Sequence, residues 1–149
     1  QNETGPFERP MLYTESSAVP QPSSPGTPGT GGAIPRLTAY EPPLSGSSEF
    51  TLGVDGGLPS APARAVLALS DPTAATASAL ASIDFTLSGL GAGSLELPLP
   101  SRAQVGDAFL YLRVYVQDAA AAGGWSASGS VRFQLIGQDD ALMLNGFED

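Results

Sequence analysis

The stretch AFLYLRVYVQ, residues 108–117, decides the fold class of this chain. Side chains on a β-strand point alternately to the two faces of the sheet, and this stretch alternates over its whole length. One face carries four aliphatic residues and the other carries three aromatic residues and an arginine: Leu110, Leu112, Val114 and Val116; Phe109, Tyr111, Tyr115 and Arg113. The pattern predicts a long central strand whose aliphatic face is covered by the core.

Shorter segments with the same alternation lie on both sides of this strand, separated by turn residues such as Asp55-Gly56-Gly57. They predict strands over 37–41, 49–54, 64–70, 82–88, 94–99, 130–136 and 141–147. Pro98 and Pro100 indicate an edge position for the strand at 94–99. Helix is limited to short turns at 72–80 and 118–122. The spacing predicts an all-β antiparallel sandwich, Ig-like or jelly-roll-like, of about seven to eight strands.

The first 35 residues differ in composition from the rest of the chain. Residues 16–35 read SSAVPQPSSPGTPGTGGAIP, a composition typical of a linker, and the β-sandwich domain is predicted over 36–149. Residues 1–15 form an N-terminal arm with a small apolar set: Phe7, Met11, Leu12 and Tyr13. The linker could reach about 60 Å at polyproline spacing, so the apolar set is either tethered far from the domain or laid along it.

The composition excludes several classes of function. The chain has no Cys and no His, and all six of its basic residues are arginines. Disulfides, thiolate or imidazole metal sites and a Schiff-base lysine are therefore absent, and no cofactor is predicted. The net charge of −9 argues against binding to nucleic acid or to anionic membrane surfaces. No apolar run approaches the roughly 18 residues that would insert into a membrane.

No catalytic constellation is present in the sequence. A serine nucleophile would have only a carboxylate as its base, and no G-x-S-x-G motif occurs. The acidic residues are scattered singly, mostly at turns, where capping is their ordinary use. We therefore expect a protein that is not an enzyme and has no catalytic residue.

Two further signals are weak. The densest acidic group, Asp139, Asp140, Glu148 and Asp149, lacks the spacing of a calcium loop, which favours a solvated tail and no metal site. Asn2-Glu3-Thr4 matches the glycosylation sequon, and the Ser/Thr/Pro-rich segment resembles O-glycosylated stalks in composition.

The aromatic residues leave two interpretations open. Phe109, Tyr111 and Tyr115 are either ordinary half-buried sheet residues on which Arg113 stacks, or a platform for a sugar or a partner chain. The single tryptophan, Trp125, either closes one end of the sandwich or presents its ring for stacking against a sugar. For the sheet aromatics and for Trp125 alike, packing inside the protein is more common than binding a sugar.

Several phrases resemble a widespread secreted domain of GC-rich bacteria. They are VDGGLPSAPARAVLALS at 54–70, GSLELPLP at 93–100 and VGDAFLYLRVYVQDAAAAGGWSASGSVRFQLIG at 105–137. The ending LMLNGFED is similar to the short D-G-F-E tail of exported gammaproteobacterial proteins, with Asn145 at the position of the Asp. The resemblance implies a β-sandwich and export, and it assigns no activity and no site residue.

We expect an exported, extracellular or cell-surface protein. Gln1 in place of Met is typical of a terminus left by signal-peptide removal, although a cleaved tag would give the same start. The favoured function is a structural subunit that assembles with copies of itself, its arm docking on a neighbour through Phe7, Met11, Leu12 and Tyr13. The alternative is a carbohydrate-binding or adhesin module that uses Trp125 or the aromatic face.

Overall fold

A computed structural model describes residues 20–40, 42–76 and 78–137, which form a sandwich of two antiparallel sheets. The strands are β1 Gln21–Ser24, β2 Arg36–Ala39, β3 Phe50–Asp55, β4 Pro62–Ala68, β5 Ala81–Thr86, β6 Gly93–Leu97, β7 Leu110–Gln117, β8 Trp125–Ala127 and β9 Ser130–Phe133. A one-turn helix, α1, spans Arg102–Val105, and short 3-10 turns span Thr30–Gly32 and Ala122–Gly124.

The larger sheet has the strand order β1-β9-β7-β4-β5, with β8 also paired to β7, and the smaller sheet has the order β2-β3-β6. The aliphatic face of β7 is fully buried, as the alternation predicts, and it packs on residues from both sheets. Phe50 of β3 and Phe133 of β9 meet across the core with ring centroids 5.5 Å apart. The predicted all-β antiparallel sandwich is confirmed, with β7 central and β6 at an edge.

Each strand predicted between residues 37 and 136 overlaps a strand of the structure, and the segment at 141–147 lies outside the described residues. The helical turn predicted at 72–80 is wrong for the described residues, and that at 118–122 is displaced to Ala122–Gly124. Two strands were not predicted. The β1 sequence QPSS has no apolar alternation, and β8 is only three residues long, so neither carries the period-2 signal.

The described part of the Pro/Gly/Ser-rich segment lies along the domain. Strand β1 pairs with β9, and Thr27 exchanges backbone hydrogen bonds of 2.9 and 3.0 Å with Ala127 of β8. Gly26 is required where the segment passes β8, because a Cβ there would lie 2.5 Å from the Ala127 carbonyl oxygen. Residues 20–35 therefore lie along the sandwich, whereas the apolar set of the arm lies outside the described residues.

The two lateral sides of the sandwich differ. On one side β5 continues into β6 through a tight connection and the two strands are in contact, which closes that side. On the other side, β1 of the larger sheet and β2 of the smaller sheet line a groove of about 550 Å³ that lies between them. We call this groove the β1–β2 seam.

Candidate functional site

The aromatic face of β7 is the outer face of the larger sheet, and the β4–β5 connection covers its centre. Ala75 of that connection is buried against Val66, Tyr115 and Ala127. The Arg113 side chain donates to the Ser24 hydroxyl and lies 3.5 Å from a carboxylate oxygen of Asp71. At 8% exposure, Arg113 is a structural residue that joins three segments of the chain.

Tyr115 is buried beside Arg113, with 4% of its surface exposed. Burial raises the pKa of its phenol, and the neighbouring Arg113 guanidinium opposes this with a smaller effect. Its ring meets Trp125 edge to face, with centroids 6.5 Å apart and an interplanar angle of 89°. Tyr115 therefore supports other side chains and does not face solvent.

The remaining aromatic residues of β7 do not form an open platform with Tyr115. Tyr111 is half-buried, and Phe109 lies just before the strand with the Arg132 guanidinium 4.7 Å above its ring. The stacking predicted for Arg113 is thus made by Arg132, because Arg113 is held by Asp71 and Ser24. The five residues proposed from sequence divide into a buried pair, Arg113 and Tyr115, and three partly accessible rings.

Trp125 occupies the junction of two grooves on the outer face of the larger sheet. The first, of about 290 Å³, is lined by Pro62, Ala63, Arg64, Asp84, Phe85, Thr86, Gln117 and Trp125. The second, of about 540 Å³, lies towards the loops and is lined by residues 58–62, 117–119, 124 and 125. Trp125 is half-buried, so its ring forms a wall of both grooves and does not close the end of the core.

The β1–β2 seam is the second accessible feature. Apolar and polar side chains line it in equal number, together with Gly129: Pro22, Ile34, Pro35, Leu37 and Val131; Ser24, Arg36, Thr38, Asp55 and Ser130. Leu37 and Val131 pack partly against the main core, so the seam leads from solvent to the core between the sheets. Sequence periodicity gives no sign of this groove, because it depends on which strands lie at the edges.

Asp118 organises the loops beside the second groove. Its Oδ2 accepts a 2.7 Å hydrogen bond from the Thr30 backbone N–H, and its Oδ1 accepts the Thr30 hydroxyl at 2.7 Å and the Ala120 N–H at 3.0 Å. These hydrogen bonds hold the pKa of Asp118 below its ordinary value. We call this arrangement the Asp118 clamp; an Asp at a strand end was the only sequence signal for it.

The arm anchors Phe7, Met11, Leu12 and Tyr13, the sequon at Asn2 and the acidic group at 139–149 lie outside the described residues. Among the residues that the structure does describe, no three acidic side chains come together as metal ligands. No helix in the described part of the chain is long and apolar enough to span a membrane.

Comparison with known proteins returned no similarity: no protein-family model, no curated protein and no solved structure matches the chain.

Proposed function

We propose that this protein is a non-catalytic structural subunit that assembles with copies of itself, the arm of one subunit docking in the β1–β2 seam of the next. The observation that carries the proposal is the seam, a groove beside strand β2, whose outer edge pairs with no other strand in the described part of the chain. An extended segment that adds to a sheet edge is a common mode of recognition.

Strand β2 offers backbone groups for such pairing. In an antiparallel pair, alternate residues direct their N–H and C=O groups to the partner strand. The Tyr40 N–H bonds to the Thr51 carbonyl at 3.1 Å, so Thr38 and Arg36 also face β3 in register with Gly53 and Asp55. The backbone groups of Leu37 and Ala39 therefore point to the free edge, where an added strand would bond to them.

Residues 7–13, FERPMLY, have the chemistry of an occupant. Met11 and Tyr13 are two residues apart, so an extended backbone directs both to one face, which would insert between the sheets. Seven residues, 14–20, separate Tyr13 from β1 and span at most about 25 Å when extended. Because β1 lines the seam, the arm would stay within that distance of its own seam, and a head-to-tail exchange between subunits would propagate a chain.

Export to the cell surface is part of the same proposal. The supports are the resemblance of 93–137 and of the tail to exported bacterial proteins, and a net charge of −9 that suits a solvated exterior.

The test is negative-stain microscopy with light scattering on the purified chain, compared with Met11→Asp and Tyr13→Asp. Regular fibres or large assemblies are expected for the parent chain, and folded monomers of about 15 kDa for both variants. Thr14→Asp is the matched control, because it adds the same charge next to Tyr13 without removing an apolar side chain.

A variant on the receiving side completes the test. Ala39→Pro removes an N–H that points to the free edge of β2 while leaving the pairing with β3 intact, so it should block assembly without loss of β-sheet circular dichroism. A monomeric parent chain, or polymers that persist in Met11→Asp and Tyr13→Asp, would overturn the proposal.

A further inference from the structure

The structure assigns a second binding site to the outer face of the larger sheet: we propose that the two grooves joined at Trp125 bind a chain of neutral pyranose sugars. This site is separate from the β1–β2 seam and shares none of its lining residues. The inference therefore goes beyond assembly and does not depend on it.

Trp125 is held in place before any ligand arrives. Gly123 and Gly124 have φ angles of 71° and 84°, a region that favours glycine, and they turn the chain into β8 at Trp125. The Trp125 backbone then pairs with Gln117 of β7, and its ring packs perpendicular to the ring of the buried Tyr115. A ring fixed in this way loses little conformational freedom on binding, which favours affinity.

The two grooves share one wall. Pro62, Gln117 and Trp125 line both, so a linear ligand that occupied both grooves would cross the indole. An extended, two-part site of this shape suits an oligosaccharide better than a single sugar, since one ring would fill only one side. The Gln117 side chain is exposed next to the indole and presents both a donor and an acceptor for sugar hydroxyls.

The polar groups of the first groove are charge-balanced. Arg64 Nε lies 2.6 Å from Asp84 Oδ1, and its NH1 donates to the Ala75 carbonyl at 3.1 Å. The hydrogen bond between Arg64 and Asp84 is the main cause that raises the pKa of Arg64 and lowers the pKa of Asp84. Both groups therefore stay ionised and paired. A paired guanidinium and carboxylate offer hydrogen bonds to hydroxyl groups without the unpaired cation that an acidic glycan requires.

The chemistry of the site thus combines an aromatic ring for the apolar face of a pyranose with planar polar groups for its equatorial hydroxyls. Ligand sites of this kind are concave, partly apolar and carry a few convergent polar groups. Exposed Thr86, beside Asp84 on the same groove wall, adds a further hydroxyl.

Trp125 is the single tryptophan of the chain, so its fluorescence reports on the site directly. The first experiment titrates the parent chain with oligosaccharides of β-glucan, xylan and mannan, and a saturable change in emission is expected for at least one of them. Native gel electrophoresis through the corresponding soluble polysaccharides should retard the same protein.

Trp125→Ala should lose retardation, with an affinity at least about tenfold weaker, because tenfold corresponds to only about 1.4 kcal/mol of stacking and burial. Gln117→Ala, at an exposed position, should weaken binding about threefold or more without disturbing the fold. Tyr40→Ala is the matched control: Tyr40 is an aromatic residue with 64% of its surface exposed, but it lies on the smaller sheet.

Three outcomes would overturn the proposal: no response to any neutral glycan of the panel, retardation only by an acidic polysaccharide such as alginate, or unchanged retardation of both Trp125→Ala and Gln117→Ala. Because Trp125 and Gln117 lie outside the arm and the seam, assembly should be unaffected in Trp125→Ala and Gln117→Ala.

Discussion

The Asp118 carboxylate accepts two hydrogen bonds of 2.7 Å from Thr30, a residue 88 positions earlier in the chain. The contact joins the segment before β2 to the start of the loop between β7 and β8, directly after the end of β7. Gly29 passes so close that a Cβ at that position would lie 2.2 Å from Asp118 Oδ2. The clamp therefore depends on a carboxylate at one residue and on the absence of a side chain at another.

Asp118→Asn should lower the thermal unfolding midpoint at neutral pH, because an amide cannot accept hydrogen bonds on both terminal atoms. The clamp lowers the pKa of Asp118 in the folded state. The stabilisation by the clamp is therefore fully present above the unfolded-state pKa of about 4 and is lost as the pH falls below that pKa. The difference between parent and variant in melting temperature should thus shrink between pH 7 and about pH 3.

Asp55→Asn is the control for this experiment, since it removes a carboxylate from the exposed ion pair with Arg36 and should change the midpoint little. A parent-to-variant difference for Asp118→Asn that stays constant with pH would contradict the role of the ionised carboxylate. Gly29→Ala should resemble Asp118→Asn, because the added methyl group displaces the same carboxylate.

Tyr115→Phe should leave stability at pH 7 unchanged or raise it by up to about 1 kcal/mol. The Tyr115 hydroxyl is buried and has no hydrogen-bond partner among the described residues, so its removal relieves a desolvation cost. Because the pKa of Tyr115 is raised in the folded state, its contribution to the free energy of unfolding is fully present below the unfolded-state pKa of about 10. That contribution is lost as the pH rises above this pKa.

Urea denaturation at pH 8 and at about pH 11 measures both effects. The parent chain should lose more stability than Tyr115→Phe over this interval. Equal losses in the two proteins would show that the phenol does not titrate with folding.

Gly53→Ala tests the contact between the Tyr40 ring, at the end of β2, and Gly53 of β3. A Cβ on Gly53 would lie 2.3 Å from the Tyr40 hydroxyl, so the Tyr40 ring must move off the sheet. Alanine in a strand gains about 0.5–1 kcal/mol over glycine through backbone entropy, and the loss of the Tyr40 contact opposes this gain. The free energy of unfolding of the single variant should therefore change little. In the Tyr40→Ala background the same change should stabilise the protein by about that amount.

A double-mutant cycle in urea separates the two terms. Identical effects of Gly53→Ala in the presence and absence of the Tyr40 ring would contradict the contact.

Asp71→Ala should destabilise the fold by about 1–3 kcal/mol, because it leaves the buried Arg113 guanidinium without its carboxylate. Arg113→Met with Asp71→Ala should recover part of the loss, since a long apolar side chain suits the surroundings of Val66 and Ala75. Chemical denaturation measures both; additive losses in the double variant would show that the pair does not interact.

Much of the sandwich follows from local pattern. The alternation at 108–117 predicts both the central position of β7 and which of its faces enters the core, and prolines 98 and 100 indicate the edge position of β6. These features depend on the period of a strand and on the missing N–H of proline, which act within a few residues. Strand β1 lacks the first signal: its QPSS sequence has no apolar alternation and is ordered by backbone pairing with β9.

The sequence by itself determined the all-β class, the strand positions and the residue chemistry, because alternation, turn residues and composition are local properties. Only the tertiary structure decided how the aromatic residues are used. It buries Tyr115 and Arg113 under the β4–β5 connection, leaves Trp125 between two grooves and opens a seam beside β2. Those outcomes depend on which strands become neighbours and which edges remain free, and strand order is set by contacts between distant segments that no local pattern encodes.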